Sequence, residues 1–388
     1  MSWNKYSLSN YTGGYYGMIQ EYQICSHCIM DTSDPDIIFD ANGVCNHCKE
    51  AKKMINSILY DSHREEKLNK LVATIKADGE GKPYDCIIGV SGGVDSTYVA
   101  YLVKKLGLRP LAVHLDNGWD TEISVRNIEK TLEKLDIDLF TYVIDWEEFK
   151  DLQISFLKAS VPHTEHITDH AIHAILHKIA AQKKVKYILI GSNISTESYG
   201  VKSWSGGQRD WKYIKNIHKA YGRVPIKTYP YMSGFNIFKN KYLLNQQDIS
   251  ILDYITYIKE DAMGILEKEL EWTYYGGKHY ESLFTKFFQA YILPNKFGFD
   301  KRRIHLSALI ASGQITRQQA MVEMEKELYP EAELKEDKIY VLKKLGLSDT
   351  EFENIMNLPI KTFWDYPSYE NSWWFKWLYP ILKRDASI

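Results

Sequence analysis

The run YDCIIGV (84–90) is short, apolar and bracketed by turn-forming residues, a pattern that predicts a buried strand. The same pattern recurs at 108–116, 138–145 and 185–193. Between these runs the apolar positions take helical spacing: STYVAYLVKK up to Gly107, then 121–136, then 165–184. Strands alternating with helices predict an α/β fold, a parallel sheet with helices on both faces. In such sheets ligands sit beyond the carboxyl ends of the strands. Ahead of this region, 51–78 reads as one mixed-charge helix, and DGEGKP is a turn-rich linker. From about 236 the strand signal fades, and 248–271, 280–293, 302–312, 316–328 and 349–357 read as helices. Three segments are therefore expected: 1–58, an N-terminal arm and cysteine segment; 59–235, the α/β domain; and 236–388, a mostly helical substrate or partner region.

Composition narrows the function. The 388 residues carry 48 Lys plus Arg against 50 Asp plus Glu, a formal charge of −2, so the chain shows no basic excess of the kind a nucleic-acid wrapper carries. No apolar run approaches the roughly 20 residues a membrane span needs. The N-terminus lacks a basic segment followed by an apolar one, and a cytoplasmic location is expected. The 28 Tyr and 10 Trp suit stacking on sugars or bases, but most serve as core filling.

The motif with the clearest chemistry is Ser91-Gly92-Gly93-Val94-Asp95-Ser96, set between a strand and a helix. The glycines let the backbone approach a phosphate closely, and the helix start offers unpaired N–H groups and a positive dipole end. Asp95 repels phosphate, so it is expected to act through Mg²⁺, which bridges carboxylate and phosphate oxygens. The Walker A lysine is absent. Other strand ends carry Asp116-Asn117-Gly118 and Gly191-Ser192-Asn193, with Glu197 following as a second candidate Mg²⁺ ligand. Each of these is, by itself, an ordinary turn signal. Lys278 in GGKHYES and Arg302 or Arg303 in DKRRIH are candidates to neutralise pyrophosphate, or simply a solvated basic face.

Cys25-x2-Cys28 and Cys45-x2-Cys48 lie sixteen residues apart, a zinc-site spacing. Four thiolates make a closed, structural site. His27 and His47 lie inside the knuckles, awkwardly for ligands, and Cys86 is read as a buried filler. His166, His170, His173 and His177 fall on one helix face. A metal site there is conceivable; a polar edge packed on the sheet is the plainer reading. His166, Asp169 and His170 are expected near the cleft, with His173 and His177 structural. Trp204, Arg209 and Asp210 of WSGGQRD are expected near the cleft as substrate contacts, while Trp364, Tyr366, Trp373, Trp374 and Trp377 are read mostly as packing.

The loop SGGVDS resembles the PP-loop of the N-type ATP pyrophosphatases, which include asparagine synthetase, GMP synthetase and NAD synthetase. CSHCIMDTSDPDIIFDANGVCNHC, IIGVSGGVDSTYVA, LDNGW, TDHAIHAIL, IGSNISTES and GGKHYES together resemble the N-acetyl sugar amidotransferases of bacterial surface-sugar pathways. The resemblance spans most of the first 285 residues. It implies an adenine nucleotide alpha hydrolase-like fold and an ATP-dependent enzyme using Mg²⁺ and a structural Zn²⁺. The implied reaction adenylates the acetamido oxygen of an N-acetyl sugar, free or nucleotide-linked, and replaces it with nitrogen from ammonia. In that reading the catalytic residues are Asp95, Lys278, Asp169 and His170. ATP is held by Ser91, Gly92, Gly93, Val94, Asp95, Ser96, Asp116, Gly191, Asn193 and Arg302. The sugar is held by His166, Trp204, Arg209 and Asp210. The chain shows no glutaminase-like nucleophile motif, so a separate glutaminase subunit, with a cyclase-like protein, is the implied source of ammonia. Two rival enzymes keep the same loop: a tRNA-thiolating enzyme, and an asparagine-synthetase-like ligase acting on a carboxylate. A zinc-ribbon protein binding nucleotide as a regulator is the non-enzymatic alternative.

Overall fold

The structure, a computed structural model, describes residues 21–206 and 210–372. The N-terminal arm 1–20, Arg209, Trp373, Trp374 and Trp377 lie outside the described residues. Four strands form at the expected runs: β1 (Cys86–Gly89), β2 (Pro110–Asp116), β3 (Asp138–Val143) and β4 (Tyr187–Ile190). A fifth, β5 (Gln247–Ser250), falls where the apolar pattern predicts only helix. Its sequence QDIS is polar because it is an edge strand, with one neighbour and little surface to bury. The sheet order is β3-β2-β1-β4-β5, and every pairing is parallel. The direction of strand addition reverses between β1 and β4, which opens a crevice at their carboxyl ends.

Two helices, α1 (Asn46–Ile58) and α2 (Arg64–Asp78), precede the sheet. The single helix expected over 51–78 is broken at Asp61, whose carboxylate accepts from the His63 N–H and from Lys67 Nζ. Next come α3 (Val94–Lys105), α4 (Glu122–Leu135), α5 (Trp146–Ala159), α6 (His166–Lys183), α7 (Ile194–Glu197) and α8 (Trp211–Tyr221). Alternate strand residues face opposite sides. Ile88, Ala112 and Leu189 pack with Val99 and Val103 of α3, Leu132 of α4 and Leu266. Ile87, Val113 and Ile188 pack against Ile175, Leu176 and Ile179 of α6.

Beyond α8 the described residues are, β5 apart, mostly helical: α9 (Gly234–Phe238), α10 (Lys259–Leu270), α11 (Leu283–Phe287), α12 (Arg302–Ala311), α13 (Arg317–Glu325), α14 (Glu331–Leu345) and α15 (Asp349–Met356). The helix expected over 280–293 is instead α11 followed by a π-helical stretch, Phe288–Phe297. A second core joins the cysteine segment, α5, α8 and these C-terminal helices around Phe156, Ile214, Phe287 and Phe352.

One face of α5 organises the segment after α8. The Asp151 carboxylate accepts from the Arg223 and Val224 N–H groups, and Glu148 accepts from the Lys227, Thr228 and Tyr229 N–H groups. Burial opposes the Glu148 charge, but these donors prevail and hold its pKa below the usual glutamate value. The resulting stability is present above the ordinary glutamate pKa and is lost as pH falls through the folded one. Glu148→Gln is therefore expected to cost on the order of 1–3 kcal/mol at neutral pH. In denaturation curves across the acid range, the gap between the two proteins should close as pH falls.

Candidate active site

Loop 91–96 leaves β1 and enters α3 at the crevice. Gly92 has φ +77°, and a Cβ there would lie 2.4 Å from the Ser124 carbonyl oxygen. Only glycine satisfies both conditions. The Ser96 hydroxyl accepts from the Ser91 N–H (3.2 Å) and lies 3.1 Å from Ser91 Oγ. From behind, Trp272 Nε1 donates to the Gly92 carbonyl (2.9 Å), while Asn127 binds both the carbonyl and the N–H of Thr273. The Val94 N–H donates to the Tyr275 hydroxyl (3.2 Å). Segment 272–282 thus wraps the loop, and it delivers Lys278.

The Lys278 ammonium is 12 % exposed and sits 2.8 Å from Glu197 Oε1 and 3.9 Å from Asp95 Oδ2. Burial opposes its charge, but Glu197 and Asp95 outweigh burial and raise its pKa above the ordinary lysine value. Burial likewise opposes the charge of Glu197, and Lys278 outweighs it and holds the carboxyl below the usual range. The other oxygen of Asp95, Oδ1, accepts from the Tyr257 hydroxyl at 2.5 Å. Asp95 and Glu197 therefore face one cation position, and their all-oxygen donor set suits a hard divalent ion. Gly191, at the end of β4, lets that strand approach: a Cβ there would meet Asp95 and Ser96 backbone atoms at 3.1 Å. Asn193 caps α7 by accepting from the Thr196 N–H, which sets Glu197 one turn into the cleft. Asp116 accepts from the Gly118 N–H and shapes the turn after β2.

Around this centre stand Asp169, expected from the sequence, and further groups that sequence reading does not single out. Burial pulls Lys301 below the ordinary lysine value against Glu165 and Asp169, and pulls Lys259 down against Asp95. Burial, reinforced by Asp169 and opposed by Lys301, pushes Glu165 up to about 7. Burial also raises Asp169, although its side chain is 41 % exposed and lies 3.6 Å from His163. His305 is half-buried with both ring nitrogens enclosed and without a hydrogen-bond partner, and that enclosure, reinforced by Lys278 and His279, lowers its pKa well below the ordinary histidine value.

Several expected contacts lie elsewhere. His166 is buried among Phe156 and Tyr213 with neither ring nitrogen hydrogen-bonded, so it is a core residue. His170 stacks on Trp211 and accepts from the Met232 N–H at 3.0 Å, away from the cleft. Arg302 is committed to Asp300 and to the carbonyls of Glu323 and Lys326, and its neighbour Lys301 takes the place in the cleft. Arg303 binds Asp31 and the Ile29 carbonyl. Trp204 is buried flat on Phe299, ring centroids 4.1 Å apart. Asp210 caps α8 through the Tyr213 N–H and also accepts from the Tyr369 N–H. Of the aromatic tail, Tyr366 is buried and donates to the Ala159 carbonyl, while Trp364 is exposed.

The four N-terminal thiols converge: Cys25 and Cys48 sulfurs lie 3.7 Å apart, as do those of Cys28 and Cys45. Tetrahedral thiolate ligands at about 2.3 Å from a metal are about 3.8 Å from one another, so the cluster fits a metal ion. N–H groups of His27, Met30 and Cys45 point at the sulfurs. The Tyr199 hydroxyl lies 3.2 Å from Cys48 Sγ, two residues beyond Glu197. Arg317 ties the knuckle to α13 through the Cys25 and Cys28 carbonyls.

Two family models match the chain: NAD synthase over residues 65–221, and LPS biosynthesis protein WbpG-like, C-terminal domain, over residues 281–379. The chain joins an NAD synthase-type PP-loop domain to a WbpG-like C-terminal domain. The NAD synthase match supports an ATP-dependent, ligase-like enzyme. An uncharacterized protein of Methanocaldococcus jannaschii is 26% identical over 140 residues, 33% of this chain and 45% of that protein. A probable mitochondrial tRNA-specific 2-thiouridylase of Caenorhabditis elegans is 27% identical over 160 residues, 36% of this chain and 40% of that protein. The chain spans less than half the length of these relatives. Among solved structures, the NH3-dependent NAD synthetase of Campylobacter jejuni matches with a TM-score of 0.28 and 18% identity, covering 53% of this chain and 85% of that one. The NMN synthetase of Francisella tularensis matches at 0.28 and 15%, covering 54% and 97%. At such scores the likeness of shape carries no weight, and the PP-loop assignment rests on the family model together with the loop at the β1/β4 crevice.

Gly92→Ala places a methyl group against the Ser124 carbonyl at a positive φ, a strain of about 1–3 kcal/mol. ATP affinity measured by calorimetry should fall at least about tenfold, because the misplaced N–H groups no longer converge on phosphate.

Proposed function

We propose that this enzyme converts an acetamido group of a surface-glycan sugar into an acetamidino group, using ATP and ammonia. The observation that carries the reading is the loop 91–96 at the β1/β4 crevice, with Asp95 and Glu197 turned to one cation position beside Lys278. The WbpG-like segment supports a role in lipopolysaccharide biosynthesis.

The acetamido oxygen attacks the α-phosphorus of ATP, the bond to the bridging oxygen breaks, and pyrophosphate leaves. Ammonia then adds to the activated carbon, the carbon–oxygen bond breaks, and AMP departs. The loop N–H groups and Ser91 and Ser96 hydroxyls orient the phosphates, which is the larger part of such catalysis. A magnesium ion held by Asp95 and Glu197 would neutralise charge on the departing pyrophosphate. Lys278, Lys259 and Lys301 bring further positive charge to the cleft. Glu165, near pH 7 in its titration, is placed to take the proton that ammonia loses on attack. Cys25, Cys28, Cys45 and Cys48 would hold a structural zinc ion, and the Cys48 sulfur, 3.2 Å from the Tyr199 hydroxyl, ties the knuckle to the α7 end that carries Glu197. Ammonia comes from a separate glutaminase subunit, with a cyclase-like protein. tRNA thiolation is disfavoured because four cysteines are taken by the knuckle, and Cys86 is buried in β1, where burial raises its thiol.

Purified chain supplied with ATP, Mg²⁺ and ammonium should release pyrophosphate only with an acetamido sugar, giving a product with =NH in place of =O by mass. Asp95→Ala should abolish both. Release that depends on tRNA or on a carboxylate instead would overturn the proposal. With free ammonia held constant, kcat should rise as pH passes through about 7 and Glu165 loses its proton. Glu165→Gln should remove that inflection and lower kcat by about 10²- to 10⁴-fold.

A further inference from the structure

His173 and His177 lie one turn apart on α6, and Asp248 lies on the edge strand β5, in register with Ile188 of β4. One ligand atom from each residue lies within 4.8 Å of the other two. These residues belong neither to the ATP cleft nor to the cysteine knuckle.

The hydrogen bonds of His177 fix its tautomer. The side-chain amide of Gln246 donates from Nε2 to the His177 carbonyl (3.1 Å), which can only accept. The amide oxygen therefore faces the His177 ring, 2.8 Å from Nδ1, and Nδ1 must carry the proton. The remaining nitrogen, Nε2, points at Asp248 Oδ1 from 3.1 Å. A lone pair facing a carboxylate at that distance calls for a cation between them: a second ring proton, or a metal ion. The geometry favours the metal in two ways. His173 brings a third ligand to the same point. And an imidazole whose far N–H is held by a carbonyl-type oxygen is the usual arrangement behind a metal-bound histidine. His177 is buried, the Asp248 side chain is 17 % exposed, and His173 is half-exposed.

We propose that His173, His177 and Asp248 bind a divalent transition-metal ion, with Gln246 positioning His177. The two-nitrogen, one-oxygen donor set suits Zn²⁺ or its neighbours, at about 2.0–2.1 Å per ligand, once the side chains close slightly. The ion staples β5 to α6. β5 leads through Asp253, which accepts from the Ile194 N–H ahead of Glu197, to Tyr257 on Asp95, so the staple fixes one wall of the cleft without entering it.

The test uses the full chain, stripped with chelator and titrated with Zn²⁺ by calorimetry and with Co²⁺ by absorption. Two equivalents are expected: one with strong thiolate-to-metal bands, the other with only weak visible bands. His173→Ala, at a half-exposed position, and Asp248→Asn should each remove the second and leave the thiolate bands intact. Gln246→Leu should weaken the second about 10- to 100-fold. A single equivalent in the wild-type chain would overturn the proposal and leave His177 and Asp248 a proton-bridged pair. So would a second equivalent whose affinity is unchanged in His173→Ala and Asp248→Asn.

Discussion

The cleft depends on one shared charge: the Lys278 ammonium held between Glu197 and Asp95. Three charges enclosed this far are tolerable only if each compensates another, and removing any one leaves an uncompensated charge. The fold brings them together from three places. Asp95 comes from the loop after β1, Glu197 from the short helix after β4, and Lys278 from a segment more than eighty residues downstream. Parallel pairing of β1 with β4 aligns the first two, and Gly191 lets the strand ends approach. Trp272, Asn127 and Tyr275 lock the third against the glycine loop.

The remaining parts of the molecule buttress that arrangement. The cysteine knuckle lies behind α7 and reaches it through Tyr199, and Arg303 and Arg317 bind the knuckle to α12 and α13. The start of α12 returns Lys301 and His305 to the cleft, four residues apart on one helix face. The start of α12, within the WbpG-like segment, is therefore part of the site's wall.

Where the sequence was legible, local chemistry left few alternatives. A glycine pair in a turn is common, but the full SGGVDS motif between an apolar run and a helix is specific, and paired C-x2-C knuckles at this spacing suit zinc. Four of the five strands were readable because they are buried and apolar. The fifth was not, because QDIS at a sheet edge has no apolar alternation to display. The helices over 146–159, 211–221 and 331–345 went unread because their apolar positions are interleaved with charged ones that the fold uses, such as Glu148 and Asp151 on α5. In the site, spacing alone could not separate Lys301 from Arg302: both are cationic, and only the start of α12 decides which enters the cleft. The histidines of α6 were a harder case. Their common face is real, but helix periodicity cannot tell that His166 and His170 pack among aromatic rings while His177 meets Asp248 from a distant strand.

The central claim is that the acceptor's own oxygen attacks ATP at the α-phosphorus. The most direct test is to supply an acetamido sugar labelled with heavy oxygen at the acetamido carbonyl and to analyse the nucleotide product by mass. The account predicts that the label appears in AMP and is absent from pyrophosphate. Unlabelled AMP formed together with an acetamidino product, or label found in inorganic phosphate, would contradict it.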